Sequence, residues 1–120
     1  MRAEEKDMPV MSDSRSVAAN TVVENILTGK LHEFISGMRA GRVRIFMASS
    51  ASGINASLLV GGESFCQDQL CSFANRFPID PDDFLAEGGG YAGDRILVSV
   101  RNTTGGALTI NTRIVIDPVA

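Results

Sequence analysis

The sequence predicts a mainly β chain: a single antiparallel β-sandwich with an extended N-terminal arm and at most one or two short helices. Three observations carry this prediction. Segments in the C-terminal half alternate apolar and polar residues with the period of two that a half-buried strand requires. Gly-, Ser- and Asn-rich stretches separate those segments at the spacing of turns. The chain has 120 residues, 44% hydrophobic and 21% charged, enough to bury one core and too few for two domains.

Residues 1–16 read as the arm, flexible or ordered by a partner, and residues 17–120 as the sandwich domain. The arm carries Arg2, Lys6 and Arg15 against Glu4, Glu5, Asp7 and Asp13, and its compact apolar spot is Met8-Pro9-Val10-Met11. So little apolar surface cannot offset the entropy of ordering the segment alone. Residues 17–38 are open between two readings. Val22, Val23, Ile26, Leu27, Leu31, Phe34, Ile35 and Met38 share a helical face, but Thr21-Val22-Val23 is β-branched and Gly29 interrupts the pattern. Extended structure with a turn near Gly29 is favoured, and a helix is the rival.

From Gly41 the pattern sharpens. In Arg42–Ala48, Val43, Ile45 and Met47 alternate with Arg42, Arg44 and Phe46. Ser49–Gly53 reads as a turn, Ile54–Val60 as a strand, Gly61-Gly62 as its end, and residues 63–76 as an irregular strand with a bend. Phe77–Leu85 reads as a loop with a single helical turn, with Asp80 as its cap, Pro81 at the first helical position, and Asp82 and Asp83 complementing the dipole. Gly88-Gly89-Gly90 reads as a turn. Strands follow at Arg95–Arg101 and Ala107–Ile116, and Asn102–Gly106 between them reads as a hairpin connection.

Charge and composition restrict the function. A net charge of −3 and a pI near 5.0 argue against a chain whose main task is coating nucleic acid. No apolar run approaches the 18 or so residues of a membrane span. The N-terminus lacks the apolar core of a secretory signal, so synthesis and folding in the cytoplasm are expected, and the Asn55 and Asn102 glycosylation patterns are read as accidental.

No catalytic constellation emerges, so no enzyme activity and no cofactor are expected. His32 is the single histidine, beside Glu33 and far from any nucleophile motif. Cys66 and Cys71 lack a second ligand pair for zinc, and two free, packed thiols are favoured over a disulfide. Asp80, Asp82 and Asp83 lack the Gly and the distal Glu of a calcium loop, and the capped turn accounts for them. Arg39, Arg42 and Arg44 form the one basic cluster, with no acid between residues 34 and 62. It reads as a solvated strand face or as a contact for phosphate or a partner's acids. Phe65, Phe73, Phe77, Phe84 and Tyr91 lie in what read as long middle loops, where interface anchors can sit.

The stretch Phe77-Pro78-Ile79-Asp80-Pro81-Asp82-Asp83-Phe84-Leu85, with Gly93–Val98 and Arg101-Asn102-Thr103-Thr104, resembles small jelly-roll virion proteins of bacteriophages. These are capsid-associated cement, decoration or minor capsid proteins, and the resemblance spans about residues 20–117. It implies a jelly-roll-like sandwich, a homo-oligomer docked on the major capsid protein, and localisation in the virion after folding in the host cytoplasm. The alternative expectation is a β module that binds carbohydrate or a Ca²⁺-dependent ligand. Under the first reading the interface candidates are Met8, Val10, Met11, Arg39, Arg42, Arg44, Phe65, Phe73, Phe77, Phe84 and Tyr91.

Overall fold

A computed structural model describes residues 10–30, 33–79 and 82–119. Among them are eight strands and no helix: β1 (Val10–Val17), β2 (Val22–Val23), β3 (Ala40–Ser49), β4 (Ile54–Val60), β5 (Glu63–Leu70), β6 (Phe84–Tyr91), β7 (Ile96–Asn102) and β8 (Leu108–Pro118). The alternation predicted for the strongest segments is the burial pattern found. Ile54, Ala56, Leu58 and Val60 of β4 face inward, as do Ile96, Val98 and Val100 of β7 and Ile110, Thr112, Ile114 and Ile116 of β8.

The strands pair antiparallel as β1 with β8, β2 with β7, β3 with β6 and β4 with β5. This is one long hairpin whose tip is the β4–β5 turn. Gly61 and Gly62 there both have positive φ (59° and 88°), as a tight two-residue hairpin turn requires. The hairpin is rolled so that β3 also pairs with β8 and β4 with β7. The result is two four-stranded sheets, β1-β8-β3-β6 and β2-β7-β4-β5, packed face to face. That strand order is the jelly roll.

Three expectations need correction. Residues 10–16 are not an arm: β1 pairs with β8 along its whole length, from Val10 opposite Val115 to Val17 opposite Leu108. The expected arm residues before Val10, Met8 among them, lie outside the described residues. Asn102–Gly106 is not a hairpin connection: it carries the chain from β7 in one sheet to β8 in the other. Both strands line the same core from opposite sides, so both carry the same alternation, and alternation names a buried face without naming a partner. Gly88-Gly89-Gly90 is not a turn but the second half of β6. A Cβ at Gly88 would overlap the Phe65 ring, and one at Gly90 would come within 2.5 Å of Val60. Cross-sheet packing sets the residue type there, and no turn does.

Residues 17–38 follow the extended reading. After β2 the chain turns through Asn25–Lys30, with Gly29 at φ 76°. The turn buries Ile26 and Leu27, with the Ile26 N–H donating to the Val98 carbonyl (2.9 Å); beyond it the Glu33 carbonyl accepts from the Ile96 N–H (2.8 Å) and Ile35 is buried. A helix would not fit, because the Asn25 side chain takes a place in the β-ladder. Its Oδ1 accepts from the backbone N–H of Val98 (3.0 Å) and Leu27 (3.0 Å), and its Nδ2 donates to the Ile96 carbonyl (3.3 Å). An amide side chain here supplies the donor and acceptor that a strand backbone would otherwise offer.

Candidate interaction surfaces

The outer face of the β1-β8-β3-β6 sheet shows how chemistry is distributed on the molecule. Even-numbered residues of β3 point outward, so Arg42, Arg44 and Phe46 share that face, as their alternation predicts. The Arg39–Arg44 stretch is nevertheless not an edge, since β3 lies inside its sheet between β8 and β6. Its charges are largely met within the chain. Arg42 and Arg44 reach Asp117 of β8 at 3.3 and 2.9 Å, and Arg42 lies 3.9 Å from Glu87 of β6. Arg39 is exposed just before β3.

Phe46 breaks the pattern. It lies on the solvent face of the sheet, yet its exposure is 1%. Phe84 packs edge-on against it with ring centroids 5.7 Å apart, and the Arg113 guanidinium stands 5.9 Å from its centroid. The β5–β6 loop covers this end of the sheet. It leaves the β3 edge at Ser72, whose carbonyl accepts from Ser49 N–H (2.8 Å), and returns at Asp83, whose carbonyl accepts from Met47 N–H (3.0 Å). Between these points Asn111, outward on β8, donates to the Arg76 carbonyl (3.3 Å).

Asp83 closes this loop. It is buried, its backbone N–H donates to the Ile79 carbonyl (2.9 Å), and its carboxylate accepts from Ile79 N–H (3.0 Å) and from Arg76 Nε (3.1 Å). The expected Asp80 cap and Pro81 lie outside the described residues, and Asp82 and Asp83 form a turn that leads into β6. Burial alone would raise the Asp83 carboxyl. The Ile79 N–H, the Ser72 hydroxyl and the Arg76 charge outweigh it and hold the group below its ordinary value. The carboxylate is therefore committed to the loop and is not available to a cation.

The clasped loop turns apolar side chains outward. Phe73, Phe77, Ile79 and Phe84 are each about half exposed. Single exposed apolar residues are ordinary, but three on one anchored loop, with Phe84 at the start of β6 beside them, amount to a presented surface. Ile79 escaped the sequence reading, although its place between Phe77 and Phe84 was a usable signal.

The other predicted anchors separate. Phe65 is in β5, not in a loop, and packs against the core over Gly88. Tyr91 ends β6 at the opposite end from Phe84 and is 72% exposed. With Ala40, Gly89, Phe65 and Val119 it borders an open cleft of about 420 Å³. Val10 is exposed on β1, while Met11 faces inward against the core. A second cleft of about 420 Å³ lies on the outer face of the other sheet, where Ser57, Ser64, Gln67 and Ser99 surround Leu59 and Leu97.

Among the described residues, no three His, Cys, Asp or Glu side chains converge as metal ligands would. His32 lies outside them. Cys66 and Cys71 are free. Burial pushes the Cys71 thiol up to about 12, with the nearby Cys66 adding to the shift, so Cys71 is poorly suited to nucleophilic chemistry. The Asn102 amide is buried and fully used. Its Nδ2 donates to the carbonyls of Val17 (3.0 Å) and Gly106 (2.9 Å), and its Oδ1 accepts from the Thr104 N–H (2.9 Å) and hydroxyl (2.7 Å). It is a tertiary lock, not a glycan acceptor. No protein-family model matches the sequence, and no curated protein matches it.

Proposed function

We propose that this chain is a bacteriophage virion structural protein, a capsid-associated cement, decoration or minor capsid protein that self-assembles and binds the capsid shell. One observation carries the reading. The β5–β6 loop, anchored by the ion pair of exposed Arg76 with buried Asp83, presents Phe73, Phe77 and Ile79 to solvent beside Phe84, the first residue of β6. Loops held this firmly lose little entropy on binding, and aromatic anchors at the centre of an interface dominate its affinity. Two further points support it. The jelly roll is a recurrent architecture of shell proteins, an argument by analogy of fold. The sequence stretches that resemble phage virion proteins include this same loop.

The test is co-sedimentation with capsid shells assembled from the major capsid protein encoded beside this gene. The wild-type chain pellets with shells. A Phe73→Ser/Phe77→Ser double variant loses about 2 kcal/mol or more of binding, roughly thirtyfold in Kd, while its thermal melt stays where it was. The proposal fails if no capsid or portal gene lies alongside, or if the double variant pellets as the wild type does.

A further inference from the structure

The backbone groups on the edge of a sheet can pair with another chain, so each edge is either interrupted or used. Three of the four edges of this sandwich are interrupted. β2 is two residues long. β5 meets β4 with two register irregularities and holds Asp68 at φ 54°. β6 has a bulge beside Phe84, and at its other end Asp94 takes both backbone groups of Tyr91, the carbonyl at 2.9 Å and the N–H at 2.8 Å. β1 differs. It runs in unbroken register with β8 from Val10 to Val17, and no backbone group among the described residues bonds to its outer side. The Val17 carbonyl accepts from Asn102 Nδ2 (3.0 Å), so the free stretch ends at Ser16.

The side chains of β1 supply a second, independent observation. Ser12, Ser14 and Ser16 are exposed on the outer face, while Asp13 and Arg15 turn inward. Arg15 Nε donates to Asp13 (2.8 Å), its Nη2 donates to the Ile26 carbonyl (2.9 Å), and Lys30 lies 3.3 Å from Asp13. Inward charges normally keep a strand from adding a neighbour, because the added strand would cover a charge without answering it. Here the order of the charges supplies the answer. Read outward from Ser14, the stretch Ser12-Asp13-Ser14-Arg15-Ser16 has serine matched with serine and acid matched with base. A second β1 running in the opposite direction therefore meets both charges at once. Arg15 Nη1 makes no hydrogen bond among the described residues, so a donor remains for that contact.

We propose that a second copy of this chain adds to the β1 edge, Ser12–Ser16 against Ser12–Ser16 about a two-fold axis at Ser14. The two four-stranded sheets then become one sheet of eight strands. The register follows from the charges. Directly opposed residues share a face, so the axis passes through a residue and not between two. At Ser14 it sets each Asp13 opposite the partner's Arg15, and opposite charges in that position attract. At Asp13 or Arg15 it would set that charge against its own copy, which is unfavourable. The inward charges thus act as a key: they reject a strand that lacks the complementary pair and admit the chain's own β1. The inference rests on the self-assembly half of the proposed function and does not involve the aromatic loop.

Two measurements on the full chain test it, both at Ser14, whose exposed side chain can change without touching the Asp13–Arg15 contacts. By sedimentation velocity the wild type is a dimer. Ser14→Lys and Ser14→Glu, each alone, put like charges on the axis and weaken self-association by at least about fivefold, with unchanged thermal melts. Mixed in equal amounts, the two variants form a heterodimer as tight as the wild-type dimer. Under a mild oxidant Ser14→Cys forms a disulfide-linked dimer, because directly opposed antiparallel residues lie about 4.5–5.5 Å apart between Cα atoms. The wild type and Ser64→Cys, exposed on β5, form none. A monomeric wild type overturns the proposal. So do single variants that dimerise like the wild type, a mixture that does not recover, or a folded Ser14→Cys chain that cross-links no better than Ser64→Cys. Shell binding is scored separately. A Ser14→Lys monomer that still pellets with shells leaves the virion reading standing, and a Phe73→Ser/Phe77→Ser dimer that does not pellet leaves the β1 pairing standing.

Discussion

The two margins of the sandwich are finished in opposite ways. At the β1/β2 margin the chain is irregular, and polar side chains fill every gap. Asn25 completes the β7 ladder, Asn102 ties Val17 to Gly106, and Asp13 holds Arg15 and Lys30. At the β5/β6 margin Phe65 lies against bare Gly88, and Asp94 caps the end of β6, donating its N–H to the Tyr91 carbonyl (2.9 Å) and accepting from the Tyr91 N–H (2.8 Å). The first margin is held largely by side-chain hydrogen bonds within one chain, those of Asn25, Asn102 and Asp13. The second is mixed: β5 is polar and irregular in register, while β6 runs regularly beside β3 from Gly88 to Tyr91 with little side chain.

Four experiments break or sharpen this contrast. The largest effect is expected from Gly88→Val. Its side chain must displace the Phe65 ring, so the variant loses about 3 kcal/mol in urea unfolding. Adding Phe65→Ala in the same chain restores part of the loss, a non-additivity that assigns the cost to that contact. Asn25→Leu comes next. It keeps the volume but leaves the Val98 and Leu27 N–H and the Ile96 carbonyl without their partner, for a loss of about 2 kcal/mol. The Val98 amide then exchanges faster, while Leu58, on the neighbouring strand, does not.

Acid separates the margins further. Burial would raise the Asp13 carboxyl, but the hydrogen bond and charge of Arg15, then those of Lys30, hold it below its ordinary value of 3.8. A carboxyl whose folded value is lowered adds stability above its unfolded value and loses it as pH falls through the folded one. Asp13→Asn is therefore destabilised by about 1 kcal/mol near neutrality, and the gap to wild type closes as pH falls below about 4. The smallest signal is expected at Cys71. With its thiol pushed up to about 12 from 9.0, it holds roughly a thousandfold less thiolate at neutral pH than an ordinary cysteine. Iodoacetamide should leave it unmodified in the native protein and modify it in urea. Rapid native labelling would show that the β5 margin opens.

Legibility in the sequence followed the range of the interaction. Ile54–Val60 was readable residue for residue, and the strands at 96–102 and 108–118 to within a residue or two, because burial on one face imposes alternation locally. Partner choice was not readable. The segment after β7 looked like a hairpin connection because strands facing each other across the core carry the same pattern as strands paired side by side. Phe46 was placed on the correct face, but its burial depends on a loop that returns from another part of the chain. The half-exposed loop aromatics Phe73 and Phe77 were found as candidates. The buried clasp beneath them was not, because Asp82-Asp83 next to a proline has a sufficient local explanation as a helix start.

The sequence by itself determined the strands near 42–48, 54–60, 95–101 and 107–116, the faces they bury, and that the core is one sandwich, since periodicity and turn residues are local properties. Only the tertiary structure decided the roll: which strand meets which, that Val10–Val17 is a strand, and that the Gly88–Gly90 triplet is strand. Those outcomes depend on contacts between residues distant in sequence, Phe65 on Gly88 and Asn25 on Val98, and no local pattern encodes a contact whose other half lies elsewhere.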